Sequence, residues 1–507
     1  MKKSSFVAAL VAVIVMFASC GGGSKYTTAI PDNSMLLAKI NVGNVVNESQ
    51  ILEQPILKMA IDFAKAGMPQ EAQALLSEIL ENPSNSGLDV SQPVLLAMSM
   101  EPVSVVASLP VCDASAIAET VENFMGGSNV QIVSRNGLSY IDFGTDDVEV
   151  AYNDEMMVVA VNEKGAADAA YYMNLDADNQ AVNNKKYKEF FAAGGDASIY
   201  MDYSCLFECM KQMPSVAQMG GAYDFMSEMA VMTNLDFADG YVGFFGRLFP
   251  SAEYLKLLKG AILDVDRKFF GYIPSNAILV ANYACDWEKC LALYPEEMGV
   301  QQALEEAGIT NEMISALKGE MTVAVTATTA EGGYAEFFVA ADCSDKAVFD
   351  CLMGFLSQAG LQPEAVAEDV YTVGFGAGSR YYLVYKENAV LLMPQTIYDE
   401  VVSGDKLMAL ANNIKDNVAF DALKKPGMVI DVVAISNILN ELSLAEFLGK
   451  EAAMVMDVLG MVDNVEIIAD DATSGQMKIN LKNKDTNALK QIVDCVFNLA
   501  AASAMGL

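Results

Sequence analysis

The side chains available for chemistry in this sequence are thiols, carboxylates, lysines and hydroxyls, because histidine is absent. Without an imidazole there is no base for a Ser-His-Asp or Cys-His nucleophile and no HExxH zinc site. Asp202 and Asp431 each follow an apolar segment and precede a helical one, a placement that fits paired functional carboxylates or helix caps. No titratable cluster stands out, so we predict no catalytic residue, no metal ligand and no cofactor, and enzymatic activity is disfavoured but not excluded.

Two loops share part of a ligand-binding motif. Gly374 to Ser379 read GFGAGS, but a strand follows where a dinucleotide or phosphate loop needs a helix, so a glycine-rich hairpin turn is predicted. Asp176 to Gln180 resemble the start of an EF-hand loop. Ala181 and Tyr187 stand where that loop requires glycine and a bidentate glutamate, so a polar loop is predicted instead.

Eight cysteines remain when Cys20 is set aside, and none forms a CxxC pair, which disfavours a zinc ribbon or a thioredoxin motif. Cys112 and Cys343 precede helices, where a thiol can become reactive, but their apolar neighbours favour structural thiols. Cys205 and Cys209 lie four residues apart on a predicted helix, too far for an unstrained disulfide. We expect mostly free thiols, and the disulfide state stays open.

The first residues have the layout of a secretory signal. Lys2 and Lys3 give a positive start, and Phe6 to Ala18 form an apolar run. This run is too short for a stable membrane span, which needs about 20 apolar residues.

The following residues, FASC, resemble the lipobox of bacterial lipoproteins, although Phe17 replaces the more usual leucine. The resemblance implies a signal peptide over 1–19 and a Cys20 that carries acyl chains such as palmitate. Residues 20–28, with their GGGS run, would then form a flexible tether. The expected partner at this end of the chain is a membrane of the cell envelope, bound through the lipid.

Composition limits the remaining classes. A net charge of -35, with 66 acidic against 31 basic residues, disfavours nucleic-acid binding because phosphates require cations. The chain is 53% hydrophobic and 19% charged, which is typical of a globular protein, and 507 residues are too many for one core. We therefore expect at least two folded domains.

An internal duplication accounts for the length. Four segments recur in the same order, 229 to 243 residues apart: Ala29–Ile40 with Tyr272–Tyr283, the segments ending at Met125 and Leu356, the hairpins from Tyr140 and Tyr371, and the segments around Asp202 and Asp431. The predicted class is α+β, with two tandem related domains, 29–263 and 271–507, joined by a junction over 264–270. Each would contain a largely antiparallel sheet packed with helices.

Local patterns predict the elements of the first copy, namely strands over Met35–Ile40, Val94–Met100 and Val103–Leu109, and helices around Gln50–Ala66 and Glu71–Leu80. A hairpin follows in each copy. Asp113 and Ser344 are the predicted caps of the next helix.

The SCGGGSKYTTAIP opening, the repeated IPxN strand start and the length resemble a family of large lipoproteins of unknown function from gut anaerobic bacteria. The resemblance implies placement in the cell envelope, at the outer membrane, with the face of that membrane undetermined. The absence of aspartate after Cys20 agrees with export beyond the inner membrane. No catalytic residue is established in that family, so none is transferred.

The leading functional hypothesis is a non-enzymatic envelope lipoprotein that binds a macromolecular or small ligand at the cleft between its two domains. Two alternatives stay open. One is a carboxylate-based glycan hydrolase, which needs two acids facing each other in a deep pocket. The other is a scaffold or assembly subunit of an envelope complex, which an exposed apolar patch would favour.

Overall fold

A computed structural model describes residues 24–100, 103–125, 130–144, 148–162, 168–210, 229–294, 299–306, 309–327, 335–375, 380–403, 406–441 and 450–504. These residues form two compact units. Unit 1 contains the described residues up to 210 together with 229–246 and 484–504, and unit 2 contains the described residues from 247 to 483. Helices and antiparallel sheet occur together, which confirms the α+β class.

The sheet of unit 1 is antiparallel throughout the pairs whose register is defined. Its strand order is β4-β5-β6-β7-β3-β2-β1-β8-β9-β10. The strands are β1 (Leu36–Ile40), β2 (Val94–Met100), β3 (Val103–Pro110), β4 (Gln131–Arg135), β5 (Leu138–Asp142), β6 (Val148–Tyr152), β7 (Met156–Asn162), β8 (Ala197–Asp202), β9 (Ala230–Ala238) and β10 (Tyr241–Phe249), the last of which begins in unit 1.

The sheet of unit 2 is also antiparallel, with the order β14-β15-β16-β17-β13-β12-β11-β20-β21-β22. Its strands are β11 (Ala277–Asp286), β12 (Leu317–Ala327), β13 (Ala335–Cys343), β14 (Glu364–Ala367), β15 (Val370–Gly374), β16 (Arg380–Lys386), β17 (Ala389–Pro394), β20 (Gly427–Asp431), β21 (Val462–Ala469) and β22 (Ser474–Leu481). A small separate ladder pairs β18 (Val402–Ser403) with β19 (Lys406–Leu407).

Sixteen α-helices are described. Eight lie in unit 1: α1 (Val42–Ser49), α2 (Pro55–Ala66), α3 (Gln70–Glu81), α4 (Ala114–Met125), α5 (Ala169–Met173), α6 (Lys188–Ala192), α7 (Tyr203–Met210) and the C-terminal α16 (Ala488–Ala504). Eight lie in unit 2: α8 (Ala252–Ala261), α9 (Trp287–Leu291), α10 (Val300–Glu306), α11 (Asn311–Ala316), α12 (Ala347–Gln358), α13 (Gln395–Val401), α14 (Val432–Glu441) and α15 (Lys450–Met461).

The core of each unit lies against the central strands of its sheet. In unit 1, Leu37 of β1 is fully buried between Ala97 of β2 and Tyr200 of β8. In unit 2, Val280 of β11 is fully buried between Ala324 of β12 and Val429 of β20. Along both strands the buried side chains alternate with less buried ones, as expected for antiparallel strands that pack their core on one face.

The folded body begins inside the segment predicted as a tether. Ser24–Ala29 form a 3₁₀ helix in which Tyr26 is 2% exposed, and the Ser108 hydroxyl donates to the Tyr26 carbonyl. Residues 1–23, including the signal segment and Cys20, lie outside the described residues. Among the helices that are described, none has both the length and the apolar character needed to cross a bilayer.

The cap prediction is confirmed for one helix and wrong for the other. Asp113 Oδ1 accepts hydrogen bonds from the backbone N–H groups of Ser115 and Ala116, as a cap should. At the start of α12 the N-cap position is held by Lys346, which makes no side-chain capping bond. The carboxylate of Asp345, next to Ser344, accepts from the nitrogen of Ala347, so Ser344 is not the cap.

Candidate functional site

An apolar cavity lies within unit 1. Its volume is about 330 Å³. Ligand sites occupy roughly 300–1,000 Å³. An engineered apolar cavity of about 150 Å³ already stays dry and admits benzene. The cavity is therefore large enough for a small apolar molecule or part of an acyl chain.

One face of α4 forms much of the cavity wall. Ile117, Val121 and Phe124 follow the helical spacing of i, i+4 and i+7 and point the same way, together with Thr120. Leu76 of α3 contributes from another side. The spacing makes α4 amphipathic, and its apolar face is turned toward a space that its neighbours do not fill.

The sheet supplies the floor of the cavity. Ile141 of β5 and Phe143, the residue that follows this strand, both line the cavity. Met157 of β7 lines it as well. The methionine and phenylalanine side chains can adjust to ligands of different shapes.

A close approach at Gly87 shapes the remaining wall. Gly87 has φ +90°, and a Cβ there would lie 2.3 Å from the carbonyl oxygen of Asp113 and 2.6 Å from the nitrogen of Ile117. Its carbonyl oxygen accepts hydrogen bonds from Cys112 and Asp113 at 3.0 and 3.1 Å. Only glycine allows the loop to pack this tightly on the start of α4, next to the cavity.

The polar atoms of the wall have protein partners. Thr120 Oγ1 donates to the carbonyl oxygen of Ser86 at 3.5 Å, and Ser86 Oγ accepts from the nitrogen of Leu88 at 3.4 Å. No charged residue lines the cavity in the described part of the chain. A charged ligand would lose its hydration here without compensation, so the cavity suits uncharged apolar groups.

A second cavity, in unit 2, has the opposite character. It measures about 310 Å³ and is lined by Tyr385 and Tyr398 and by charged groups, among them Asp369, Lys386 and Lys406. Both signs of charge occur in its wall, which gives it no clear preference for cations or anions. We assign it no role.

The two aspartates singled out in the sequence act as helix caps. Asp431 Oδ1 accepts from the nitrogen of Ala434 at 2.9 Å. Asp202 Oδ1 accepts from the nitrogen of Ser204 at 2.9 Å, and the buried Asp202 also forms an ion pair with the partly exposed Lys186. They lie in different units and line neither cavity.

Cys112 and Cys343, which precede helices in their respective units, have different surroundings. Cys112 is exposed and Cys343 is buried, and burial followed by the charges of Asp342 and Asp345 raises the pKa of the Cys343 thiol to about 11. Their positions also differ. The nitrogen of Val111 donates to the carbonyl oxygen of Glu155, just before β7, and the nitrogen of Cys343 donates to that of Asn388, just before β17. Val111 is thus the counterpart of Cys343, and Cys112 is the residue after it.

The predicted ligand loops supply no site either. Ala177–Asn179 form a single 3₁₀ turn, and Gln180 next to it bridges Pro31. This agrees with a polar structural loop. Residues 376–379 of the GFGAGS loop lie outside the described residues.

An acidic cluster lies elsewhere in unit 1. Burial, followed by the charges of Asp196, Asp236 and Asp239, raises the pKa of the Glu48 carboxyl to about 7. Asn487 Nδ2 donates to Glu48 Oε2 at 3.2 Å and partly offsets this effect. Among the residues that the structure describes, no group of three or more Cys, Asp or Glu side chains has an arrangement that could hold a metal ion.

Helix α2 exposes apolar side chains. Ile56, Met59 and Phe63 are 45%, 71% and 85% exposed, and they share one face by their spacing. The helix buries none of its residues fully. Contiguous exposed apolar side chains are typical of interaction surfaces.

A family model described as a domain of unknown function, DUF4836, matches residues 26–489. The chain belongs to this family. The match begins at Tyr26, where the buried part of unit 1 starts, and covers both units. No curated protein matches the chain.

Solved structures give only weak similarities. One, titled "Structure of crystal form IV of TP0453", is 10% identical, with a TM-score of 0.26, and the alignment covers 47% of this chain and 88% of that one. Crystal form III of TP0453 is 8% identical, with a TM-score of 0.23, covering 74% and 93%. Similarities at this level carry no argument about this DUF4836 protein.

The cavity was not predicted from the sequence. The spacing of Ile117, Val121 and Phe124 marks an apolar helix face, but a filled core produces the same pattern. Whether such a face meets a neighbour or a space depends on how far α3 and β5 stand from it. That distance comes from tertiary packing.

Proposed function

We propose that this chain is a lipid-anchored envelope protein that binds an apolar ligand in the cavity of unit 1. The observation that carries the binding role is a cavity of about 330 Å³ whose wall contains no charged residue in the described part of the chain. Apolar side chains that line a concave surface gain free energy when an apolar ligand removes them from water. The lining is therefore suited to binding a ligand of that kind.

The ligand class follows from the wall. Aliphatic, methionine and phenylalanine side chains favour hydrocarbon through burial of apolar surface, at about 25 cal/mol per Å². The Thr120 hydroxyl donates to the Ser86 carbonyl, and no cationic side chain lines the cavity in the described residues to pair with a carboxylate or phosphate. We therefore propose a hydrocarbon chain or a neutral aromatic compound as the ligand.

The proposed anchor is Cys20 with its acyl chains, at an outer membrane. It is supported by the signal-like layout of residues 1–19 and by the position of the folded body. Tyr26 is buried six residues after Cys20, which limits the separation of the two to ~20 Å at ~3.4 Å per residue. A body tethered this closely would stay beside a bilayer, where hydrocarbon ligands are concentrated.

We also propose that the two units arose by duplication. The strand order of one unit matches that of the other strand for strand. Leu37 and Val280 occupy the central strands and are 243 residues apart, and their neighbours Tyr200 and Val429 are 229 apart. These separations equal those of the repeated sequence segments.

Irregular features support the duplication as well. Pro31 forms an isolated bridge with Gln180, and Pro274 forms one with Asn413. In unit 1 the carbonyl oxygen of Ile30 accepts a hydrogen bond from the nitrogen of Ala181 at 2.8 Å. In unit 2 the carbonyl oxygen of Ile273 accepts one from the nitrogen of Ile414 at 3.0 Å. Isolated bridges are too specific to recur by general strand preference.

Lipid extraction with native mass spectrometry tests the binding role. The chain beginning at Gly21 would be produced in bacteria, purified without detergent and sprayed under native conditions. We expect a bound species whose mass corresponds to a hydrocarbon compound, released on activation and identified in an organic extract. A protein that carries no such species, and takes up none from added neutral lipid, would contradict the proposal.

The anchor has its own test. Radiolabelled palmitate should be incorporated into the full-length chain and not into the Cys20→Ser variant. Fractionation should place the labelled protein with outer membranes. If the wild-type chain incorporates no palmitate, the anchor proposal is wrong, and the cavity proposal is unaffected.

The two alternatives from the sequence are less well supported. A hydrolase needs paired carboxylates in a deep pocket. No carboxylate lines the apolar cavity in the described residues, and Glu48, with its raised pKa, lines neither cavity. The inter-domain ligand site and the scaffold role stay predictions of the sequence, and the exposed face of α2 is the observation that favours a scaffold.

A further inference from the structure

Two cysteines flank the first turn of α9 in unit 2. Asp286 is the N-cap of this helix, and its Oδ1 accepts from the nitrogen of Lys289 at 3.4 Å. Cys285 immediately precedes the cap, and Cys290 is the fourth helical residue. Side chains at these two positions commonly pack against each other across the first turn, an arrangement known as the hydrophobic staple.

The corresponding helix of unit 1 shows the usual form of this contact. Helix α1 also follows the central strand of its sheet, and its N-cap is Asn41. Ile40 precedes that cap, and Val45 is the fourth helical residue. Unit 2 therefore has two thiols at positions that unit 1 fills with two aliphatic side chains.

The structure brings the two thiols together. Burial, followed by the charge of Cys290, raises the pKa of the Cys285 thiol, so the two sulfurs lie within electrostatic range of each other. Both residues also contact the end of α8, since Ile262 forms a bridge with Cys285 and Cys290 Sγ lies 3.9 Å from the carbonyl oxygen of Ala261. The backbone of Cys285 and the thiol of Cys290 therefore lie against the same two-residue segment.

We infer that Cys285 and Cys290 form a disulfide bond when the protein meets an oxidising disulfide. The geometry required is a Cβ separation of about 3.5–4.5 Å, which paired staple positions can provide. The bond would link the end of β11 to the first turn of α9, directly beside the cap. It would replace a non-covalent staple with a covalent one.

The reaction is a thiol–disulfide exchange with a small-molecule or protein disulfide as oxidant. One cysteine thiolate attacks a sulfur of the oxidant, forming a mixed disulfide and releasing one thiol. The second cysteine thiolate then attacks the first cysteine's sulfur and releases the other thiol. The protein loses two protons and two electrons, and the oxidant is reduced to two thiols.

Peptide mapping provides a direct test because trypsin cleaves after Lys289, between the two cysteines. The resulting peptides are Phe269–Lys289 and Cys290–Lys318, and each contains one cysteine. The full-length chain would be equilibrated with oxidised glutathione, alkylated with iodoacetamide under denaturing conditions and digested without reductant. We expect the two peptides joined, at a mass two hydrogens below the sum of the reduced peptides.

Two controls define the result. The Cys290→Ser variant should lose the joined species, and Cys285 should then appear as an alkylated or glutathionylated peptide. Cys205 and Cys209, four residues apart in α7, should stay unlinked to each other because helical spacing separates them. Dithiothreitol should convert the joined species to two alkylated peptides.

The inference is overturned if the wild-type chain, after equilibration with oxidised glutathione, yields both peptides in separate alkylated or glutathionylated form. It is also overturned if the joined peptides come from dimers, which non-reducing electrophoresis separates from monomers. Both results are read on the wild-type protein, so neither depends on a variant that fails to fold.

Discussion

Asp202 and Asp431 are the last residues of strands that have the same place in the two sheets, and only Asp202 forms an ion pair with a lysine. Asp202 ends β8 and is 2% exposed in its ion pair with Lys186, whereas Asp431 ends β20 and is half-buried. Each accepts a backbone hydrogen bond at the start of the following helix. The shared role is capping, and the difference lies in the buried charge.

This difference predicts unequal effects of one substitution. Asp202→Asn keeps a capping oxygen but removes the ion pair with Lys186, and because the lysine is partly screened by solvent we expect a loss of about 1 kcal/mol in the free energy of unfolding. Asp431→Asn should change it by no more than ~0.5 kcal/mol, because asparagine caps as well as aspartate. Urea denaturation of the two variants measures this. Equal losses would show that the ion pair contributes nothing.

Gly87 should be far less tolerant of alanine than Gly137. Both have positive φ, 90° and 81°, so both variants lose ~1 kcal/mol or more to backbone strain. Only at Gly87 does the added Cβ meet backbone atoms, whereas nothing lies within 4 Å at Gly137. We expect Gly87→Ala to be less stable by a further ~2 kcal/mol. Scanning calorimetry should show the difference as a lower Tm, and matching Tm values would refute the close approach.

Glu48 should make unit 1 less stable as pH rises. Its pKa is about 7 in the folded protein, raised by burial and then by Asp196, against an ordinary value of 4.5. The folded state therefore holds this proton more tightly than the unfolded state. Its stabilising effect is complete below pH 4.5 and is lost as pH rises through 7.

Glu48→Gln tests that linkage. The variant should raise Tm relative to wild type at pH 8 by more than it does at pH 5, because glutamine stays uncharged. Glu53→Gln, at an exposed carboxylate nearby, is the control and should show no such difference between the two pH values. A Glu48→Gln effect that is the same at both pH values would exclude Glu48 as the source.

Phe63 and Phe190 are a matched pair for the apolar face of α2. Phe63 is 85% exposed and Phe190 is 1% exposed. Phe190→Ala should reduce the free energy of unfolding by about 3–5 kcal/mol, and Phe63→Ala should change it by no more than ~0.5 kcal/mol. Calorimetry on dilute protein measures both. A large loss for Phe63→Ala would mean that this face is covered in solution.

The sequence predicts individual strands and helices better than it predicts the cavity between them. Strand β2 was predicted with its observed limits, Val94 to Met100, because strands buried in a sheet have a continuous apolar pattern. The predicted helix around Glu71 to Leu80 is confirmed as α3, one residue longer at each end. Local preference and periodicity are enough to define such elements.

Features that depend on several elements were not predicted. Tyr26 lies in a segment whose glycine-rich start suggested a tether, but its burial depends on contacts with β3. The cavity depends on how α3, α4 and the sheet fail to fill the space between them. No sequence pattern pairs Cys285 with Cys290, because their relation depends on the helix that starts after the cap at Asp286.

The central claim is that the cavity of unit 1 binds apolar compounds, and the most direct measurement is binding of the neutral fluorescent probe N-phenyl-1-naphthylamine. Wild-type protein should enhance its fluorescence saturably, and added fatty alcohol should displace it. Val121→Phe places a ring in the cavity and should abolish the saturable signal. Val105→Phe, at an exposed valine of β3, should leave it unchanged. Equal probe binding by wild type and Val121→Phe, with both folded by circular dichroism, would contradict the account.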